Sequence, residues 1–154
     1  MSDHLVRLGR DEDAPAAGRL LHDFNTEFGD PTPGPAAIGR RIRALLAAGD
    51  SAVLLGGPGP DGIALLRFRL ALWSEALECY VAELYVAPPS RGRGLGRALM
   101  TAAIDHARER GADYMDLGTG EDDVAARGLY ESLGFDSRDG RPDGPANLFY
   151  GREL

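Results

Sequence analysis

Apolar positions along the chain recur at two spacings, and the order in which the spacings alternate predicts the fold. Leu5-Val6-Arg7-Leu8 reads as a short strand ended by Gly9. Ala17, Leu20, Leu21, Phe24 and Phe28, three and four apart, form one helical stripe behind a cap at Asp11 or Asp13. After the Gly29–Pro35 loop, Ile38, Ile42, Leu45 and Leu46 mark a second helix, ended by Gly49. Ala52–Leu55 and Ile63–Trp73 read as strands around a Gly/Pro turn. The second alternates, with Leu66, Phe68, Leu70 and Leu72 on one face and Arg67 and Arg69 on the other. Glu78–Val86 is the third long strand, and Leu95–Arg110 an Ala-rich helix closed by Gly111.

A strand at Tyr114–Leu117 leads to a helix capped by Asp122 or Asp123, with Ala126, Leu129, Tyr130 and Leu133 on one face and Gly134 at its end. Phe135 starts a strand, and Leu148-Phe149-Tyr150 closes the sheet beyond a turn at 140–145. The order β-α-α-β-β-β-α-β-α-β-β is α+β, a mixed, mostly antiparallel sheet with flanking helices. Neither a repeat nor a linker divides it, so one domain over 1–154 is expected.

The chemistry concentrates between Glu83 and Leu99. An apolar strand is stopped by Pro88-Pro89, becomes the Gly-rich stretch Arg91–Gly96, and opens into a helix. The first N–H groups of a helix lack intrahelical partners and carry partial positive charge, so this order builds an anion site. Glycine admits a phosphate without a Cβ in the way, and Arg91, Arg93 and Arg97 add charge. A pyrophosphate fits. The dinucleotide fingerprint G-x-G-x-x-G/A fails in both frames, at Arg97 and at Leu99, and the Gly-Lys-Ser/Thr of a P-loop is absent.

Arg91-x-x-Gly94-x-Gly96, behind Leu84-Tyr85-Val86-x-Pro88, resembles the acyl-CoA motif of the GNAT superfamily of N-acetyltransferases, Gln/Arg-x-x-Gly-x-Gly/Ala. Ala126-x-x-Leu129-Tyr130-x-x-x-Gly134-Phe135 resembles its second signature, and Tyr130 stands 34 residues after Gly96 with one helix and one strand between. The element order from Leu5 to Tyr150 also looks like the fold of that family. The resemblance implies an acetyl-CoA co-substrate. The backbones of Leu84 and Val86 would hold its acetyl carbonyl and pantetheine, and Arg91, Gly92, Gly94, Gly96 and Arg97 would surround its pyrophosphate. Tyr130 would point at the thioester sulfur. Where many members carry Asn against the pantetheine arm, this chain has Asp123, an acceptor only when ionised. It either contacts the arm or caps its helix.

Acyl transfer to an amine needs a group to take the ammonium proton, donors for the oxyanion and a proton for the leaving thiolate. Tyr130 suits the acid role, since a phenol and a thiol are comparably basic. Glu83, a carboxylate inside an apolar strand, is the candidate base or amine anchor. Its bland alternative is a charge paired with Arg67 or Arg69, and Glu75, Glu78 or a water chain are lesser bases. His4, His22 and His106 read as surface or helix-face residues, and Cys79 as a buried strand residue. The Gly29–Pro35 loop suits a lid on the acceptor side.

Composition narrows the partners. The formal net charge is −7, which argues against nucleic acid and anionic membrane and tilts the acceptor towards cationic amines. One cysteine excludes an internal disulfide and argues against a cysteine-based metal site, and no metal is expected. No apolar run is long enough to span a bilayer, which points to the cytoplasm. The expected activity is acetyl transfer from acetyl-CoA to a primary amine, on a small molecule or a peptide N-terminus, by direct attack in a ternary complex. The alternatives are a non-catalytic acyl-CoA sensor and an enzyme using a longer acyl-CoA. An exposed strand leaves room for a homodimer.

Overall fold

The protein is described here by a computed structural model covering residues 5–154; His4 lies outside the described residues. Strand β1 is Val6–Leu8, and helices α1 and α2 are Ala14–Glu27 and Pro35–Ala48. Strands β2 (Ser51–Gly56), β3 (Gly62–Leu70) and β4 (Leu77–Val86) follow, then α3 (Leu95–Glu109), β5 (Ala112–Leu117) and α4 (Val124–Ser132). The strands form one sheet in chain order, β1-β2-β3-β4-β5, and β1 to β4 pair antiparallel. No helix among the described residues is long and apolar enough to cross a membrane.

The chain groups into two compact units, one running to Met115 and one from Asp116 to Leu154. In the first, period-2 alternation sends Val53, Leu55, Ile63 and Leu65 to one side of the sheet, where they pack with Ala14, Ala17, Leu20, Leu21 and Ile42 of α1 and α2. The opposite side receives α3. A Cβ on Gly56 would meet a Leu95 methyl, and one on Gly62 a Leu99 methyl at 2.9 Å, so side chains of α3 pack directly on the strand backbone there. The α1–α2 contact is equally close. A Cβ on Gly18 would stand 2.4 Å from the Pro35 carbonyl oxygen and 2.9 Å from the Gly39 nitrogen, both backbone atoms. Gly18→Ala, which would stabilise an isolated helix by about 1 kcal/mol, is therefore expected to destabilise this protein by about 1–3 kcal/mol. A lowered urea midpoint at unchanged slope is the check.

Strand β4 carries an irregularity that the sequence pattern did not show. Leu65 pairs with Glu83 but Leu66 pairs with Val81, so Ala82 is an extra residue, a β-bulge. The bulge exchanges the two faces of the strand. Before it, Cys79 and Val81 lie opposite Phe68 and Leu66; after it, Tyr85 lies opposite Ile63 and joins the α1/α2 core, with Ala82 packed against the same cluster.

Several expected features differ. Asp13 stands at the start of α1, yet its carboxylate takes the Arg7 guanidinium and the Arg10 amide, each at 2.8 Å, not a helix N–H of α1. Those contacts hold its carboxyl at about 2. Strand β3 stops at Leu70, because the Ala71 amide bonds the Ala76 carbonyl at 3.1 Å and closes a hairpin; Leu72 and Trp73 lie beyond it and are exposed.

In the second unit the two final strands are absent: after α4 no described residue is in a strand. The segment does fold back, with the Asn147 amide on the Ser137 carbonyl at 2.7 Å. Beyond that single rung, the Arg138 and Gly140 amides are drawn to the Asp136 carboxylate at 2.8 and 3.0 Å, and the Gly144 amide to the Arg141 carbonyl. Backbone donors held by local turns cannot feed a ladder, and Leu148, Phe149 and Tyr150 are exposed.

Candidate active site

Strand β4 aims two peptide groups at the edge away from β3. The Ala87 amide donates to the Asp61 carbonyl at 2.8 Å, and the register sets Val86 opposite Gly62, Tyr85 opposite Ile63 and Leu84 opposite Ala64. Opposed antiparallel pairs alternate between exchanging hydrogen bonds and turning their peptide groups outward. Ala87 and Tyr85 thus face β3, while Leu84 and Val86 turn their N–H and C=O to the other edge. The Val86 carbonyl is reached there by Arg91 Nε at 2.9 Å.

A 3-10 turn at Pro88–Ser90 ends the strand, and the loop then needs glycine. Gly92 and Gly94 have φ of +75° and +87°, in the left-handed region that side chains disfavour. Gly94 caps α3, and no acidic residue occupies the helix's first turn, so the N–H groups of Leu95, Gly96 and Arg97 meet no internal counter-charge. These residues fit a pyrophosphate. Arg93 and Arg97 are exposed beside them.

Arg91, the first residue of the loop, reaches back to α1. Its Nη2 donates to Glu27 Oε1 at 2.7 Å, and the guanidinium lies 5.6 Å from the centre of the Tyr85 ring. The Tyr85 hydroxyl donates to the same Glu27 oxygen at 2.9 Å, and the Tyr85 ring stacks on Phe24 at 4.8 Å. The bond from Arg91 holds the Glu27 carboxyl below its usual value, and burial with the Glu27 bond pushes the Tyr85 phenol up to about 12. Neither Glu27 nor Tyr85 stands out in the sequence pattern. A carboxylate on the last residue of a helix opposes the helix dipole, and that is the signal that it has a partner.

Glu83 is half-buried on the α1/α2 side of the sheet opposite Leu65, and burial pushes its carboxyl up. The Arg69 guanidinium pairs with Glu78 at 2.7 Å, which occupies that lesser base candidate. Glu75 is exposed in the β3–β4 turn. His106 lies edge-on to Phe68 with its pKa lowered by burial, and His22 Nδ1 sits 3.0 Å from Thr32 Oγ1. The Thr32 hydroxyl also accepts the Gly34 amide at 3.2 Å, and Asn25 Nδ2 donates to the Pro31 carbonyl at 2.9 Å. The Gly29–Gly34 loop is thus strapped to α1.

In the second unit, Asp123 accepts the Ala126 amide at 3.1 Å as the N-cap of α4. The other end explains its motif. The Phe135 amide bonds the Tyr130 carbonyl at 3.0 Å, the Gly134 amide bonds the Glu131 carbonyl at 3.1 Å, and Gly134 has φ +92°. That is a Schellman cap, and Tyr130 and Phe135 make its apolar contact as a T-shaped ring pair at 6.1 Å. Tyr-x-x-x-Gly-Phe is thus a device that fixes a tyrosine at a helix end. Tyr130 is 9% exposed, and burial, with Asp123 adding to it, raises its phenol.

The profile of the Acetyltransferase (GNAT) family matches residues 57–135, which hold both the β4–α3 loop and the α4 cap. The chain belongs to this family. A candidate acetyltransferase from Arthrobacter sp. FB24, known from a crystal structure, is 40% identical, with a TM-score of 0.89 over 100% of this chain and 98% of that one. The streptothricin acetyltransferase of Streptomyces lavendulae is 32% identical over 123 residues, 80% of this chain and 58% of that protein. The mycothiol acetyltransferase of Thermobispora bispora is 46% identical over 65 residues, 40% of this chain and 22% of the relative. The chain therefore spans less than two thirds of the length of each of these two curated relatives. As a GNAT fold it has a mixed, mostly antiparallel sheet with flanking helices, as the element order predicts. Among the described residues no group of three or more His, Cys, Asp or Glu is placed to hold a metal ion.

Proposed function

We propose that residues 1–154 form one acyl-CoA N-acyltransferase unit that moves an acetyl group from acetyl-CoA to a primary amine by direct attack in a ternary complex. The observation that carries this reading is the positive-φ loop of Gly92 and Gly94 opening α3 directly after a strand whose Leu84 and Val86 peptides point away from β3. Acetyl-CoA would supply an acetyl carbonyl activated as a thioester. The N–H groups of Leu95, Gly96 and Arg97, with the charges of Arg93 and Arg97, would bind its pyrophosphate. The Leu84 and Val86 peptides would align pantetheine and acetyl groups along β4.

Glu83 would take the proton of the acceptor ammonium, or anchor it, since a carboxyl raised by burial is a better base than an exposed one. For Tyr130 the role of proton donor to the leaving thiolate comes from the family motif, and its buried phenol stays protonated at neutral pH. The acceptor would be a small-molecule amine or a peptide N-terminus. Release of CoA thiol from acetyl-CoA across polyamines, aminoglycosides, amino acids and N-terminal peptides tests the reading. Release that depends on one amine class is expected. Binding of acetyl-CoA without release for any amine would set transfer aside, and no binding at all would set aside the anion site.

A further inference from the structure

Arg91 is the first residue of the loop, and its guanidinium donates in two directions. Nε goes to the Val86 carbonyl at 2.9 Å and Nη2 to Glu27 at 2.7 Å. The pair is partly exposed on both sides, while Tyr85, the other donor to the same Glu27 oxygen, is 4% exposed and stacked on Phe24. Glu27 is thus fixed from below by a buried ring before it meets Arg91. The residues are 64 apart in sequence and belong to the same compact unit. The loop that follows contains two positive-φ glycines, Gly92 and Gly94. Glycines supply the conformation the loop needs but also many others, so the loop needs restraint from elsewhere.

We propose that Glu27 is a positioning residue for acyl-CoA, acting through Arg91: the carboxylate pins the guanidinium as a strut between the end of α1, the end of β4 and the start of the loop, and so pre-sets the loop's N–H groups for the pyrophosphate. The inference rests on the acyl-CoA reading of the preceding subsection. It gives Arg91 a mechanical task in place of a ligand's, because the opposite charge of Glu27 already lies against it. It also joins the anion site to α1, whose C-terminal end carries the strapped Gly29–Gly34 loop.

The test is calorimetric affinity for acetyl-CoA and the kinetic split in wild type, Glu27→Gln, Tyr85→Phe, Arg91→Ala and the Glu27→Gln/Arg91→Ala pair. Glutamine keeps an oxygen for Tyr85 and loses the ionic bond to Arg91. The expected result is a rise of about three- to tenfold in Kd and KM for acetyl-CoA, with kcat at saturation changed less than twofold. Tyr85→Phe leaves the ionic bond and is expected to leave KM within twofold. In the Arg91→Ala background, Glu27→Gln is expected to add nothing, since the path it acts through is gone.

Equal affinity of Glu27→Gln and wild type would overturn the proposal. So would additive effects in the double variant, or a Tyr85→Phe loss as large as that of Glu27→Gln, either of which would make the carboxylate a general support of the core. Should Glu27→Gln fail to fold, Arg91→Lys replaces it, which keeps charge but cannot reach Val86 and Glu27 together; unchanged KM there would overturn the strut. Failure of wild type to bind acetyl-CoA would be seen in the same experiment and would bring down the acyl-CoA reading and this inference with it.

Discussion

Tyr130→Phe is expected to slow turnover by about 10²–10⁴-fold while the affinity for acetyl-CoA stays where it is. The substitution removes one hydroxyl and nothing else. The ring remains to pack edge-on against Phe135 and complete the Schellman cap, so α4 keeps its end. A general acid acts only as the thiolate leaves, and loss of such a group lowers kcat and kcat/KM together. Steady-state kinetics with a calorimetric titration separate the outcomes. Full turnover by the variant would remove the phenol from the mechanism, and weakened binding at full kcat would make it a binding group.

Glu83→Gln is expected to lower kcat/KM by about 10²–10⁴-fold if the carboxylate takes the proton. If it only anchors the ammonium, the loss falls on the KM of the amine. The pH profile carries the sign. The base works when ionised, so activity rises as pH passes through its pKa, and burial places that limb above the ordinary glutamate range. The limb should vanish in the variant. Stability runs the opposite way. A carboxyl whose folded pKa lies above its unfolded value is penalised when ionised; the penalty is absent below the unfolded pKa and complete above the folded one. At pH 7 the glutamine variant should therefore unfold at an equal or higher urea concentration than wild type.

What the sequence discloses and what it withholds divide along physical lines. The stripe Ala17, Leu20, Leu21 and Phe24 and the capping glycines Gly49, Gly111 and Gly134 are written in a spacing of 3.6 or a demand for positive φ, and each stands where expected. The glycine turn that opens α3 was legible for the same reason, since Gly92 and Gly94 are needed by the backbone and not by a distant partner. Leu148-Phe149-Tyr150 misleads because β propensity counts only where an edge is offered, and Asp136 holds the preceding donors in turns. Arg91 and Glu27 meet across 64 residues through their side chains, a contact no local pattern encodes.

The bulge at Ala82 was equally hidden, since an alanine inside an apolar strand signals nothing. Its consequence reaches beyond this one structure. Dropping a residue from a β-strand ordinarily turns every later side chain over to the wrong face. At position 82 it would not: Val81 would still answer Leu66, Glu83 would still answer Leu65, and Tyr85 would still enter the α1/α2 core. Ala82 is thus the one place in β4 where chain length can drift by a residue while every inside stays inside, so a relative whose β4 is one residue shorter there would keep the same core and lose only the bend beside its Glu83.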